Sequence, residues 1–218
     1  MAMLCFDLLN QLDTETGGSD LPMKNINPEE ILFFFVAMLV IVTFSSGFTR
    51  LFAMSFAHPR RDEGFQFNPI ANLDIIGTIV FFLGGFGWGK QVDDQKIRFK
   101  KQKLGWCLIS LIAPFASLTL AMSAAYIKHF LWTDRVIEVV LYLSVAATAY
   151  HVLPIPPLAG SRLIYLLLPQ ERIWRLFSKA GPFIILGLVL IDRLSGIPFL
   201  REAIAPVLDV VTRFTEYH

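Results

Sequence analysis

The sequence predicts an all-α, multi-pass membrane protein with one short β or irregular element near residues 65–70. Hydrophobic residues make up 55% of the 218 positions, which exceeds their share in an ordinary soluble domain. Two long runs, Ile31–Thr49 and Leu104–Ile127, contain no charged residue. A helix of about 20 apolar residues crosses a hydrocarbon core of roughly 30 Å, so each run predicts a membrane span.

The charge distribution favours a membrane loop over a nucleic-acid partner. The net charge is only +1, which gives no general attraction to a polyanion. Basic residues cluster in Lys90–Lys103, as they do in the cytoplasmic loops of membrane proteins. Phe99 is the only aromatic residue in that cluster, whereas surfaces that bind single strands carry several stacking aromatics. We therefore expect no nucleic-acid partner.

The N-terminal part is expected to be a polar lead-in over residues 1–27, followed by a single membrane domain over residues 28–215. Asp7 interrupts the first apolar patch and no basic segment precedes it, so a signal peptide is not predicted. The two cysteines, Cys5 and Cys107, lie far apart and form no metal-binding spacing. A disulfide framework is therefore not expected.

The first span has a well-marked start. Asn27 is a good N-cap, Pro28 suits the first helical position, and Glu29 follows where an acidic residue favours the helix dipole. Arg50 ends the apolar run. Further on, Phe65–Asn68 alternates as a short strand does, which is the basis of the predicted β element.

The middle of the chain predicts closely packed helices. The apolar run Ile75–Gly89 is short and contains several glycines, which allow close approach to neighbouring helices. Within the span Leu104–Ile127, Pro114 predicts a kink. Asp134 is a good N-cap for the next helix, which runs through Val139–Tyr150.

The C-terminal third predicts shorter, more amphipathic elements. Leu163–Arg172 is expected to form an amphipathic turn at the membrane interface, and Ala180–Ile191 an apolar helix shorter than a full span. Ile204–Phe214 spaces its apolar residues along one stripe, which predicts an amphipathic surface helix with Pro206 in its first turn.

The segment His151–Arg162 contains three prolines within four positions: Pro154, Pro156 and Pro157. Each proline removes a backbone donor and makes the preceding residue extended, so an ordinary helix cannot continue here. Irregular backbone at membrane depth must be buried in protein or line a polar cavity. This segment therefore predicts a functional or formerly functional loop.

Four segments together resemble the site-2 protease-like membrane metalloproteases. Asn68–Thr78 is similar to that family's NPxxHxDxxGT segment, and Phe86–Lys90 to its FGWAKPV element. Ala113–Ser117 resembles AGPxxN, and His151–Arg162 resembles NLLPIPPLDGSR, which is the most specific of the four. The segments occur in the family's order. The resemblance spans roughly residues 31–195 and implies a site-2 protease-like helical core.

The resemblance implies zinc chemistry that this chain departs from. In the family, an HExxH helix supplies two histidine ligands and a glutamate base, and the aspartate of PPLDG supplies the third ligand. Here Ile31–Ala57 contains neither His nor Glu, and the corresponding window within Thr43–Arg50 holds Ser, Gly, Phe and Thr before its arginine. Ala159 occupies the position of the third ligand.

The accessory positions differ as well. Asn72 stands in place of the family histidine in HxD, Ser117 in place of an asparagine, and His151 in place of the first asparagine of NLLPIPP, whereas Asp74 is retained. The positions of the expected degenerate site are Ser45, Ser46, Thr49, Asn72, Asp74, Ser117, His151, Pro154 and Ala159. Because ligands, base and accessory residues differ together, the sequence predicts a pseudoprotease without a metal or other cofactor.

The expected function is binding, as a structural or accessory subunit of a larger membrane complex or as a pseudoprotease. The alternative is an intramembrane zinc metalloprotease with a rebuilt site, for which His58, Asp74 and His151 are the nearest ligand types. A channel or transporter with a relay through Asp74, Glu138 and His151 is a third reading. The expected partners are membrane lipids and other integral membrane proteins. The expected location is the bacterial inner membrane.

Overall fold

The computed structural model describes residues 28–59, 70, 72–90, 97–99, 102–132, 134–167, 171–195 and 199–216. The predicted lead-in over residues 1–27 and the strand predicted at residues 65–68 lie outside these ranges. The elements in chain order are α1 (Pro28–Phe56), β1 (Ala57–Pro59), α2 (Ile75–Gly84), β2 (Ile97–Phe99), α3 (Gln102–Phe130), α4 (Arg135–His151), α5 (Ser161–Leu167), α6 (Glu171–Ser195) and α7 (Phe199–Glu216).

The described part of the chain is almost wholly helical, as an all-α membrane protein requires. Three helices are long and apolar enough to cross a membrane: Leu32–Phe56 in α1, Leu104–Phe130 in α3 and Arg172–Asp192 in α6. Helix α2 is apolar but much shorter. The predicted fold class is therefore confirmed, including both long spans.

Helix α1 begins at Pro28, as predicted, but continues past Arg50 to Phe56. It leads directly into β1, which pairs antiparallel with β2 so that His58 lies opposite Arg98. Part of the predicted basic loop is thus a strand. A single arginine does not end α1, because a helix terminates where backbone hydrogen bonding stops rather than where the first charge occurs.

Helix α2 has strong signals at both ends. The Asp74 carboxylate accepts a hydrogen bond from the Gly77 amide at 2.8 Å, which caps the first turn. Gly85 ends the helix with a left-handed φ of 74°, and its amide donates to the Phe81 carbonyl. The chain then folds back, and the Lys90 amide donates to the Asn72 carbonyl at 2.7 Å.

Helices α3 and α4 form the centre of the molecule. Helix α3 runs without interruption through Pro114. Asp134 caps α4 as predicted, with its carboxylate accepting from the Val136 amide. The C-terminal half of α4 is buried from Leu143 to Tyr150. Its small residues allow the neighbouring helices to approach closely.

Two expectations for the C-terminal third are wrong. The apolar helix predicted at Ala180–Ile191 is the end of α6, which has the length of a full span and already starts at Glu171. The predicted interfacial turn is therefore partly α5 and partly the first turn of α6. Pro206 lies well inside α7, which begins at Phe199 instead of close to the proline.

The apolar stripe of α7 faces the protein. Ile204 and Val211 are buried, and Val207 and Leu208 pack against the same core, whereas Asp209 is exposed. Helix α7 contacts α4 most extensively. Its amphipathic pattern therefore stabilises the fold, in addition to any role at the membrane surface.

Candidate functional site

A polar cavity lies where α1, the return segment after α2 (Phe86–Lys90) and the proline-rich segment meet. Its volume is about 40 Å³. A buried water needs roughly 10–15 Å³ on this measure, so the cavity has room for only a few water-sized groups. The residues that line it are Ile41, Val42, Ser45, Ser46, Thr49, Gly87, Trp88, Gly89, Lys90, Ala113, His151, Pro157, Ala159 and Arg162.

One wall comes from the turn of α1 that corresponds to the family's HExxH window. Ser45, Ser46 and Thr49 line the cavity from this turn. The Thr49 hydroxyl donates to the Ser45 carbonyl at 2.8 Å, which is a common way to satisfy a hydroxyl within a membrane helix. This wall therefore offers hydroxyl groups, which are weaker metal ligands than imidazole or carboxylate.

The opposite wall comes from the end of α4 and the segment that follows. His151 is the last residue of α4, and its Nε2 lies 3.4 Å from the Ser45 Oγ. Ala159 also lines the cavity and is only 4% exposed. Ala159 thus lies at the cavity, at the position where the resemblance implies a carboxylate ligand.

Close backbone packing shapes the proline-rich segment. The Gly160 amide donates to the His151 carbonyl at 2.7 Å, which closes the segment into a compact loop. A side chain at Gly160 would collide with the Val152 and Leu153 carbonyls. Pro156 contacts Gly181 of α6 in the same tight manner. The shape of this loop therefore depends on glycine at two positions.

The return segment forms the third wall. The Trp88 carbonyl lies against Gly77 of α2, and Phe86 stacks on Tyr150 of α4 with ring centroids 3.6 Å apart. Gly89 lies against the Ser46 hydroxyl and the Asn72 carbonyl. The segment that resembles FGWAKPV is thus held between α1, α2 and α4.

The structure brings together five of the nine expected site positions, namely Ser45, Ser46, Thr49, His151 and Ala159. The other four lie outside the cavity lining. Asn72 is fully buried next to the return segment, and Asp74 caps α2. Ser117 is buried in α3 and donates to the Ala113 carbonyl at 3.1 Å, whereas Pro154 is exposed.

Sequence reasoning missed three polar residues of the cavity: Trp88, Lys90 and Arg162. Each lies inside a segment that carries the family resemblance, but none stands at a position that the resemblance assigns to a metal ligand. Arg162 is 5% exposed, and its guanidinium lies 5.4 Å from the centre of the Trp106 ring, within range of a cation–π interaction. The signal available in the sequence was a charged residue, Arg162, at the end of the proline-rich segment of a largely apolar chain.

The described side chains include no group of three or more His, Cys, Asp and Glu residues placed to hold a metal ion. Of the three ligand types considered for a rebuilt site, Asp74 uses its carboxylate to cap α2, and only His151 lines the cavity. The backbone of His58 lies in β1. The donor set of the described cavity therefore does not fit zinc.

The proposed relay is also not supported by the positions of its members. Glu138 lies in the first turn of α4 and forms a 2.9 Å ion pair with Lys128, whereas His151 ends the same helix. At 1.5 Å per residue, the two side chains are about 20 Å apart along the axis. Glu138 is thus part of a helix–helix ion pair remote from the cavity.

Comparison with known proteins gives one informative match. The chain is 30% identical over 115 residues to the Bacillus subtilis (strain 168) protein named "Putative zinc metalloprotease YwhC". The match covers 47% of this chain and 52% of YwhC, so the chain spans about half the length of the curated relative that it matches. No protein-family model and no solved structure matches the chain. The similarity supports a relationship to a zinc metalloprotease at low identity.

Proposed function

We propose that this chain is a non-catalytic, site-2 protease-like membrane protein that acts by binding. It acts as a structural or accessory subunit of a larger membrane complex, or as a pseudoprotease that holds a substrate without cleaving it. The observation that carries this proposal is the cavity wall of α1. Where the resemblance requires two histidines and a glutamate, the cavity is lined by Ser45, Ser46 and Thr49.

The chemistry of the opposite wall supports the same conclusion. Catalytic zinc needs three protein ligands, and a methyl group at Ala159 cannot replace the third. A single imidazole, that of His151, remains at the cavity. One ligand cannot fix the geometry of a zinc-bound water, and no carboxylate of a described lining residue is present to act as the general base.

The packing around the cavity suggests a reason to keep the fold. The tight backbone contacts at Gly160, Gly181 and Gly77 preserve the loop and the return segment. These contacts depend on shape and tolerate the loss of the ligands. We propose that the retained surface serves recognition by another integral membrane protein, in the bacterial inner membrane.

The proposal is tested by measuring metal in the full chain. The protein would be purified in mild detergent without metal-affinity steps, and its zinc content compared with that of YwhC prepared in the same way. We expect no stoichiometric zinc in this chain. Stoichiometric, chelator-sensitive zinc that is lost in His151→Ala would overturn the proposal and support a rebuilt metalloprotease site.

The proposed role as a subunit needs a separate measurement. The tagged chain would be extracted from its native membrane in a gentle detergent, after cross-linking with a short reagent. We expect a stable species much larger than the single chain, containing the same partner in fixed ratio. A monodisperse single chain before and after cross-linking would argue against the subunit role and leave the pseudoprotease reading.

A further inference from the structure

We propose that the cavity binds a small monovalent anion, such as chloride or formate. This inference rests on the proposed function, because a cavity that held a zinc ion would favour different ligands. It concerns the side chains that replaced the metal ligands and the charges beside them.

The Trp88 indole provides the first argument. Trp88 is 4% exposed and is one of the residues that line the cavity, and its Nε1 has no hydrogen-bond partner among the described residues. An indole N–H can only donate a hydrogen bond. Because a buried donor without a partner costs about 1–3 kcal/mol, an acceptor near this residue would stabilise the fold.

Ser45 provides a second donor. Its Oγ lies 3.4 Å from His151 Nε2. With the imidazole proton on Nε2, His151 donates to this oxygen, and the serine proton remains available to a ligand. Thr49 cannot contribute in the same way, because its hydroxyl proton is used by the Ser45 carbonyl. Ser46 adds a further hydroxyl to the same wall.

The charges of the lining have one sign. Lys90 and Arg162 both line the cavity, Lys90 from an exposed position and Arg162 from a buried one. The described lining contains no Asp or Glu. A cleft with charges of one sign and low-dielectric walls concentrates ions of the opposite sign. In the family that this chain resembles, the corresponding lining holds a cation. In this chain the lining is therefore suited to an anion.

The size of the cavity selects among anions. Its volume of about 40 Å³ accommodates one chloride with a water molecule, or one formate. A peptide segment or a lipid headgroup is too large to enter it without opening the walls. The ligand class is therefore a small inorganic or carboxylate anion.

The test uses the full chain in mild detergent. Its thermal midpoint would be measured while sodium chloride or sodium formate replaces sodium gluconate at constant ionic strength. We expect a saturable rise in the midpoint with chloride and with formate, since a ligand that binds only the folded state stabilises it in proportion to its concentration above Kd. Equal midpoints in chloride, formate and gluconate would overturn the inference.

Two variants locate the site. Trp88→Phe keeps the ring and removes the N–H donor, and Arg162→Gln removes a buried charge. Loss of a hydrogen bond to a charged acceptor corresponds to a rise of about tenfold or more in the apparent Kd for chloride. The controls are Trp132→Phe and Arg172→Gln, which make the same chemical changes at exposed positions outside the cavity lining. An unchanged Kd in both cavity variants would place the bound anion elsewhere and refute the proposal.

A second measurement protects against misfolded variants. Line broadening of the ³⁵Cl resonance by the wild-type protein reports chloride binding directly, and formate should displace it. The metal content of the same sample distinguishes the two proposals. Zinc-free protein without chloride binding refutes only the anion site, whereas stoichiometric zinc refutes the non-catalytic function.

Discussion

Two walls of one cavity differ in how far they resemble the site-2 protease-like family. The proline-rich loop between His151 and Arg162 shares most residues of the motif that it resembles, whereas the cavity-facing turn of α1 has none of the HExxH residues. The loop is held by backbone contacts, such as those of Gly160 and of Pro156 with Gly181. The α1 turn instead contributes the hydroxyl residues Ser45, Ser46 and Thr49 to the cavity lining. Backbone contacts therefore shape the loop wall, whereas hydroxyl residues form the α1 wall.

The largest expected effect comes from adding a methyl group on the loop side. In Gly160→Ala, the new Cβ would lie 2.8 Å from the Leu153 carbonyl oxygen and closer still to that of Val152. Because backbone cannot easily move aside, we expect a loss of about 3 kcal/mol in stability, measured by thermal unfolding in detergent.

Gly187→Ala is the matched control for this prediction. A Cβ at Gly187 meets nothing within 4 Å, and the residue lies inside α6. We expect a neutral effect or a gain of up to about 1 kcal/mol, since alanine favours helix. If both variants lost stability equally, the tight loop packing would not be what constrains this wall.

A smaller effect is expected at the start of α2, which carries the return segment. Asp74→Ala removes the bond from the carboxylate to the Gly77 amide, so we expect a loss of about 1 kcal/mol. Asp134→Ala removes a longer and exposed cap of 3.4 Å and should cost less. Zinc content should be the same in wild type and Asp74→Ala, and a zinc loss specific to Asp74→Ala would instead make this residue a ligand.

The Lys128–Glu138 ion pair connects α3 and α4 away from both walls. Its side chains are partly exposed, 31% for Lys128 and 14% for Glu138, so solvent screens their attraction. For Glu138→Gln we expect a loss of about 0.5 kcal/mol or less, with unchanged chloride affinity. A change in chloride affinity would show that the cavity is coupled to this distant end of α4.

The smallest expected effect is on zinc. Ala159→Asp restores one carboxylate at the position of the third ligand, but the two histidine ligands remain absent from α1. We expect zinc content to stay below stoichiometric by elemental analysis. The new carboxylate should instead neutralise the cationic lining and remove the chloride effect on the thermal midpoint. Stoichiometric zinc in this variant would mean that other residues supply the missing ligands.

The sequence predicted a helix start correctly where a local signal marks it. Pro28 and the cap Asp134 act locally, through one fixed φ or one hydrogen bond, and each begins a helix as expected. The C-terminal end of α1 and the start of α6 lie beyond the predicted apolar runs, because each run was bounded by the nearest charged residue. Charged residues are tolerated in the terminal turns of a membrane helix, where their side chains reach the interface.

The sequence by itself determined the membrane character, the two long spans and the identity of the proline-rich loop, because hydrophobic length and proline spacing are local properties of the chain. It also predicted a site without the family's ligands, because Ala159 and the α1 window hold none of the residues that the resemblance requires. Only the tertiary structure decided which polar residues share a cavity. Trp88 and Lys90 of the return segment converge there with Arg162, which follows the proline-rich segment, whereas Asp74 and Ser117 are used within their own helices. Convergence depends on the packing of several helices, and no single segment encodes it.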